Sequence, residues 1–109
     1  AIASSRSSRS LHEFVDDMLL TEYISYIVGA DDVTLPKPNA EPVLKILSAL
    51  DISAADTIVV GDMPVDILMG ANAGTLTCGV TYGNATREQL EEAGADYIIN
   101  DMAQLLEFV

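Results

Sequence analysis

Short unbroken apolar runs alternate along this chain with longer segments in which apolar residues recur at helical spacing. The runs at residues 1–3, 26–28, 57–60, 76–80 and 97–99 are typical of strands. The run at 57–60 does not alternate between apolar and polar residues. Such a run fits a parallel strand that is covered on both faces. The alternation predicts an α/β domain with a largely parallel sheet and helices on both faces.

The first predicted helix follows the first strand. Ser10 and Glu13 are three positions apart and fit a capping box at its start. Apolar residues then follow helical spacing over 11–19, which places His12 on the other, exposed side.

The other predicted helices also have recognisable ends. Asn39 is expected to cap a helix that runs to Leu50, with Pro42 tolerated in its first turn. The remaining predicted signals are a helix start at Pro64, a left-handed stop at Gly74, a capping box of Thr86 and Gln89, a stop at Gly94 and a cap at Asn100.

Composition narrows the function classes. The chain has 109 residues, half of them apolar, which suffices for one small domain with a core. Its net charge of −12, from 17 acidic and 5 basic residues, argues against binding to nucleic acid or to anionic lipid. The apolar runs are too short to span a membrane. The single cysteine, Cys78, cannot form an internal disulfide, so we expect it to be structural and the protein to be cytoplasmic.

The strongest chemical signal directly follows the run at 57–60. It reads Gly-Asp-Met-Pro-Val-Asp, with Asp62 at a strand end and Asp66 one helical turn later. Two carboxylates at the carboxyl end of a parallel strand suit a hard cation such as Mg²⁺. The alternative is that Asp62 caps the helix and Asp66 is a favourable charge in its first turn.

Two weaker signals lie at other strand ends. Lys37 stands between two prolines, which stiffen its loop, and a lysine held in this way offers a fixed positive charge to a phosphate. Ser4 and Ser5 follow the first strand, where a hydroxyl can donate to a phosphate oxygen. The alternatives are a solvated lysine and serines that cap the following helix.

Taken in order, a hydroxyl, a lysine and a Gly-Asp-x-x-x-Asp motif resemble the haloacid dehalogenase superfamily. Further segments resemble its phosphoglycolate phosphatase-like branch: residues 29–33, 73–74, 79–83 and 94–99. The resemblance covers nearly the whole chain and implies a Rossmann-like core domain over residues 1–109.

The resemblance implies a magnesium-dependent phosphoric monoester hydrolase that acts on a small phosphorylated metabolite through a phosphoaspartate. Ser4, with Ser5 beside it, would bind the transferring phosphoryl group, and Lys37 would neutralise it. Asp62 would coordinate Mg²⁺, with Asp66 as a second ligand or a holder of bound water.

One element of that family pattern is missing. The superfamily's attacking aspartate belongs to an Asp-x-Asp loop near the amino terminus, and the sequence contains no Asp-x-Asp. The family's helical cap domain is absent as well. We therefore expect an incomplete core domain that is inactive alone. The alternative is a non-catalytic module that binds phosphate or associates with itself. A phosphoacceptor receiver domain is disfavoured because Lys37 precedes Asp62, the reverse of the receiver order.

The missing loop has a structural consequence, because in this family its strand lies between the strands at 1–3 and 57–60. Their unpaired edges cannot simply stay open. Three outcomes are expected: the two strands pair directly, another chain supplies the strand, or an upstream segment supplies it.

Overall fold

The computed structural model covers residues 1–109 and contains five short strands, all paired in parallel. β1 and β2 form one sheet, and β3, β4 and β5 form another in that order. Each predicted strand is confirmed to within one residue at either end. The strands are β1 Ile2–Ala3, β2 Ile27–Val28, β3 Ile58–Gly61, β4 Leu76–Val80 and β5 Tyr97–Ile99.

Helices connect the strands, as the alternation predicts. They are α1 Ser8–Asp17, α2 Glu41–Leu50, α3 Pro64–Asn72 and α4 Arg87–Glu92, and a 3₁₀ helix over Met102–Glu107 follows β5. The predicted α/β class, with parallel strands joined by helices, is confirmed. None of the helices has both the length and the apolar character that crossing a bilayer requires.

The predicted start of α1 is wrong by three residues. Ser7, not Ser10, is the N-cap, because the Ser7 side chain accepts a hydrogen bond from the backbone N–H of Ser10 at 3.2 Å. Glu13 does not complete a capping box and instead pairs with Arg9 at 3.4 Å on the exposed face. His12 is exposed, as predicted.

Two other predicted caps also shift by a residue. Asn39 does accept a hydrogen bond from the backbone N–H of Glu41, but Ala40 is the N-cap of α2. Asp101, not Asn100, caps the last helix through the N–H of Ala103. The remaining predictions are confirmed: Pro64 starts α3, Thr86 and Gln89 form a capping box, and Gly74 and Gly94 have positive φ.

β3 is not covered on both faces as its apolar run predicts. All four of its residues are only half-buried. The reason is that no hydrogen bonds join β3 to β1, and a cleft of about 820 Å³ lies between them. Direct pairing of the two strands, one of the three expected outcomes, is therefore wrong.

β4 carries the centre of the packed interior. Cys78 and Val80 pack with Ile99 on one side, and on the other side Ile67, Ala85 and Leu90 form a second buried cluster. Cys78 is fully buried, and this burial raises the pKa of its thiol. A buried, protonated thiol is unreactive, which agrees with the predicted structural role.

Candidate functional site at the carboxyl ends of the strands

The turn from β3 into α3 brings the two acidic residues of the Gly-Asp-x-x-x-Asp motif to the cleft. Pro64 opens α3 at its first position, and Asp66 lies in the first turn. The Asp66 side chain folds back over Gly61, where an added Cβ would lie 2.2 Å from the Asp66 Cβ. Only glycine at position 61 leaves room for this arrangement.

Lys37 forms an ion pair with Asp66. Its Nζ lies 2.5 Å from Asp66 Oδ1, and the two side chains are only 17% and 10% exposed. The other carboxylate oxygen, Oδ2, accepts the backbone N–H of Met63 at 3.2 Å. Each charge is therefore compensated, as burial requires. The loop with Lys37 and the helix with Asp66 meet at this pair, which the sequence separates by 29 positions.

Hydrogen bonds on both sides hold the loop around Lys37. The Asn72 side chain, on the last turn of α3, donates to the carbonyl of Pro38 at 2.9 Å. The Glu41 carboxylate accepts the backbone N–H groups of Thr34 and Leu35 at 2.9 and 2.7 Å. These two bonds lower the pKa of Glu41 below its ordinary value. The prolines alone therefore do not define the loop.

Asp62 is half-buried and lines the cleft, where the next loop along the sheet contacts it. Its Oδ2 accepts hydrogen bonds from the Asn84 side-chain Nδ2 at 3.0 Å and from the Asn84 backbone N–H at 3.3 Å. Met63 is the N-cap of α3, so the interpretation of Asp62 as a helix cap is wrong. Asp66, in contrast, does accept a hydrogen bond at the start of that helix.

The serines lie at the neighbouring strand end, apart from this group. Ser4 continues the β1–β2 pairing by donating its backbone N–H to Val28 at 3.0 Å, and its Oγ accepts the N–H of Arg6. Ala3 lines the cleft, but Ser4 and Ser5 do not. The structure thus brings Lys37, Asp62 and Asp66 together. It leaves both serines at the end of β1, on the other side of the cleft.

The donor set fits part of a magnesium site. Asp62 Oδ1 receives no hydrogen bond from the protein, so one carboxylate oxygen is free at the cleft. Mg²⁺ usually keeps several waters and takes only one or two carboxylates together with substrate phosphates. No three His, Cys, Asp or Glu side chains cluster closely enough to hold a metal alone, as a structural zinc site would need.

Sequence reasoning missed Asn84, Asn72 and Glu41. A usable signal existed for Asn84, because it follows β4, the hydrogen-bonded neighbour of β3, and the ends of neighbouring parallel strands meet at one edge. No local pattern marks Asn72, whose partner Pro38 lies 34 positions away. Glu41 reads in the sequence only as an ordinary charge in the first turn of α2.

Comparison with known proteins agrees with the fold. The profile of the haloacid dehalogenase-like hydrolase family matches residues 1–80. Pyrophosphatase PpaX of Halalkalibacterium halodurans is 40% identical over 90 residues, which cover 83% of this chain and 42% of that protein. The PpaX of Bacillus mycoides is 39% identical over 87 residues, which cover 80% of this chain and 40% of that protein.

Solved structures show the same relationship. A haloacid dehalogenase-like protein from Agrobacterium tumefaciens superposes with a TM-score of 0.88 at 26% identity, over 99% of this chain and 52% of that one. The chain belongs to the haloacid dehalogenase-like hydrolase family. It spans about half the length of the curated relatives and solved structures that it matches.

Proposed function

We propose that this chain forms the magnesium- and phosphate-binding part of a phosphoric monoester hydrolase of the haloacid dehalogenase type. The observation that carries the proposal is the grouping of a free Asp62 oxygen with the Lys37–Asp66 pair at one end of the cleft. Phosphoryl transfer needs positioning and neutralisation of negative charge, and these side chains supply both.

Each side chain has a distinct role in this proposal. Lys37 neutralises the phosphate, and Asp66 holds its Nζ in place while accepting the N–H of Met63. Asp62 coordinates Mg²⁺, with Asp66 able to hold one of the ion's waters. Bound Mg²⁺ would neutralise further charge on the phosphoryl oxygens. Ser4 donates its hydroxyl to the phosphoryl group, and Ser5 lies beside it.

The attacking aspartate comes from residues outside these 109, because none of them forms an Asp-x-Asp sequence. A catalytic group that acts as a unit with others loses most of the rate when it is removed. The 109 residues alone are therefore expected to hydrolyse phosphate esters no faster than a blank. Hydrolysis by the chain alone that Asp62→Asn abolishes would contradict this expectation.

The cleft offers a place for the missing strand. Ala1 and Ala3 line one side of it and β3 lines the other. Apolar residues of α2 line it as well, while Lys37 and Asp62 lie at one end. A strand from a complementing segment could pair with both edges, and its carboxyl end would then arrive beside Lys37 and Asp62.

A second function, self-association as a non-catalytic module, rests on the same open edges. Two copies that each place a strand in the other's cleft would form a dimer. Sedimentation of the chain over a range of concentrations tests this alternative. A mass that stays at 11.6 kDa would count against it.

The donor of the phosphoryl group is a small phosphorylated metabolite. Two of the similar proteins are pyrophosphatases, so inorganic pyrophosphate is a second candidate. We place the protein in the cytoplasm, since its single cysteine is free and buried. The net charge of −12 supports the absence of nucleic-acid or membrane partners.

Binding of inorganic phosphate in the presence of Mg²⁺ tests the proposal directly. In nuclear magnetic resonance titrations, Mg²⁺ alone is expected to shift the Asp62 amide, while shifts at Ser4 and Lys37 are expected only when phosphate is present as well. Lys37→Ala should abolish the phosphate response. Arg87→Ala, which removes an equal charge from an exposed helix, should leave it unchanged. Equal responses from these two variants would overturn the assignment.

A further inference from the structure

We infer that Asn84 is a positioning residue that restricts Asp62 to a single metal-facing oxygen and thereby favours Mg²⁺ over Ca²⁺. The inference rests on the proposed magnesium site and goes beyond it by naming what sets the selectivity of that site. It begins from two hydrogen bonds that converge on one atom. The side chain and the backbone N–H of Asn84 both donate to Asp62 Oδ2.

Both bonds go to Oδ2 and none to Oδ1, so the carboxylate presents its two oxygens unequally. An oxygen that accepts two hydrogen bonds has less electron density to offer a cation, and turning it toward the cation would break both bonds. Asp62 therefore offers one oxygen, Oδ1, without loss of these contacts.

The loop after β4, which contains Gly83 and Asn84, packs closely against the Asp62 side chain. Gly83 packs directly against the Asp62 side chain, where an added Cβ would lie 2.3 Å from the Asp62 Cβ and 2.5 Å from Oδ2. The backbone of the loop thus closes one side of Asp62, and Asn84 holds the oxygen on that side. Together they fix the direction in which Oδ1 points.

One-oxygen binding discriminates between the two commonest divalent cations. Mg²⁺ requires nearly ideal octahedral geometry at short distances, which single oxygens satisfy. Ca²⁺ accepts six to eight ligands in flexible geometry and often takes both oxygens of a carboxylate. A carboxylate with one oxygen already hydrogen-bonded to the protein can still bind Mg²⁺ through the other oxygen. It cannot bind Ca²⁺ through both oxygens without losing those hydrogen bonds.

The test uses Mn²⁺ as a paramagnetic probe of the 109-residue chain. Mn²⁺ prefers six oxygen ligands as Mg²⁺ does, and it broadens nearby amide resonances even when it binds weakly. Broadening at Asp62 is followed while Mg²⁺ or Ca²⁺ is added as a competitor. In the wild-type chain we expect Mg²⁺ to restore the Asp62 resonance at lower concentration than Ca²⁺.

Asn84→Ala is the main variant, because Asn84 is exposed and its loss leaves no cavity. We expect Mn²⁺ and Mg²⁺ to bind about tenfold more weakly, as when a residue that supports a metal ligand is removed. Ca²⁺ should lose less, so the Mg²⁺ preference should narrow. Gly83→Ala should act in the same direction, since its methyl group displaces Asp62. Asn100→Ala, at an exposed turn whose side chain makes no hydrogen bond, is the matched control and should behave as wild type.

The possible outcomes separate this inference from the proposed function. No Mn²⁺ broadening at Asp62 in the wild-type chain, or broadening that Asp62→Asn leaves unchanged, would overturn the proposed magnesium site and this inference with it. Binding at Asp62 with the same Mg²⁺ to Ca²⁺ preference in Asn84→Ala and wild type would overturn the role of Asn84 alone.

Discussion

The two sheets of this protein differ in how they are stabilised. The first region, β1 and β2 with α1, has two strands of two residues each. The second region, β3 to β5 with α3 and α4, contains β4, of whose five residues four are buried. Both clusters of buried hydrophobic residues belong to the second region. A two-stranded sheet is marginal alone, whereas three strands packed on helices can be independently stable.

Hydrogen bonds to carboxylates supplement a small core of Leu11, Val15 and Val28 in the first region, and they also hold the loops that follow it. Asp31 accepts the backbone N–H and the hydroxyl of Ser8 at 2.7 and 2.8 Å, and Asp32 accepts the N–H of Gly29 at 2.8 Å. Glu41 holds the loop before Lys37. The candidate site draws on both regions, because Lys37 follows the first and Asp62 and Asp66 belong to the second. Its geometry therefore depends on how firmly the weaker region is held.

The largest predicted effect comes from the core of the second region. Leu90 is fully buried beside Ile67 and Ala85, so Leu90→Ala should cost about 4 kcal/mol of unfolding free energy. Amide hydrogen exchange should accelerate throughout the chain. The matched variant is Leu11→Ala in α1, where Leu11 is 3% exposed, and it should accelerate exchange mainly in β1, β2 and α1. If Leu11→Ala weakened β4 as much as β2, the two regions would be one cooperative unit.

The next largest effect concerns the ion pair that joins the second region to the loop after the first. Asp66→Ala leaves the Lys37 side chain, which is only 17% exposed, without its partner. It should lower the free energy of unfolding in urea by about 3 kcal/mol. Lys37→Met should cost less, because Asp66 keeps the N–H of Met63. Asp17→Ala, at an exposed site, is the control. A loss for Asp66→Ala that matches the control would show that the pair does not join the two parts.

A pair of helix caps compares the two regions at a smaller scale. Ser7 caps α1 and Thr86 caps α4, each by accepting a backbone N–H at 3.2 Å. Ser7→Ala and Thr86→Ala should each cost about 1 kcal/mol. Hydrogen exchange should show a local effect for Ser7→Ala in α1, while Thr86→Ala should also weaken β4 and β5. The opposite pattern would contradict our inference that the second region is the more stable of the two.

The smallest effect is a dependence on pH. Hydrogen bonds from Ser8 lower the pKa of Asp31, and hydrogen bonds from Thr34 and Leu35 lower the pKa of Glu41. A carboxylate whose pKa is lowered by folding stabilises the native state above its unfolded pKa. That contribution declines as the pH falls below the unfolded pKa, about 4, and it is lost once the pH has passed through the lowered folded pKa.

Acid should therefore loosen the first region and the Lys37 loop before it loosens β4. Exchange at Ile27 and Val28 at pH 4 and pH 6, corrected for intrinsic rates, measures this loosening. Glu41→Gln should reduce the pH dependence at Thr34 and Leu35 while leaving that at Ser8 intact. If Glu41→Gln left the pH dependence at Thr34 and Leu35 unchanged, ionisation of Glu41 would not be its cause.

Much of the fold was predictable because it depends on neighbouring residues. Strand positions follow from apolar runs, and the capping box at Thr86 and Gln89 depends on two side chains in one turn. The shift at α1 shows where this reasoning is weak. The Ser-rich segment before α1 offers several hydroxyls that could cap it, and only the folded chain selects Ser7.

The residues of the candidate site also divide into those that the local sequence indicates and those that only the fold brings together. Asp62 and Asp66 were identifiable because a strand, a glycine and a helix start follow one another in sequence. Asn72 was not identifiable, because its partner Pro38 lies 34 positions away. Asn84 was marked only by its place after β4, and its contact with Asp62, 22 positions away, depends on the fold. The half-buried state of β3 was not identifiable either, because it depends on which strand lies beside it.

The sequence by itself determined the order of strands and helices, the glycine turn before Asp62 and the family. These properties depend on backbone preferences and apolar periodicity within a few residues. Only the tertiary structure decided that β1 and β3 stay apart and that Lys37 pairs with Asp66. It also decided that Asn84 occupies one oxygen of Asp62. Each of these depends on distances between segments remote in sequence, which chain packing sets and local preference does not.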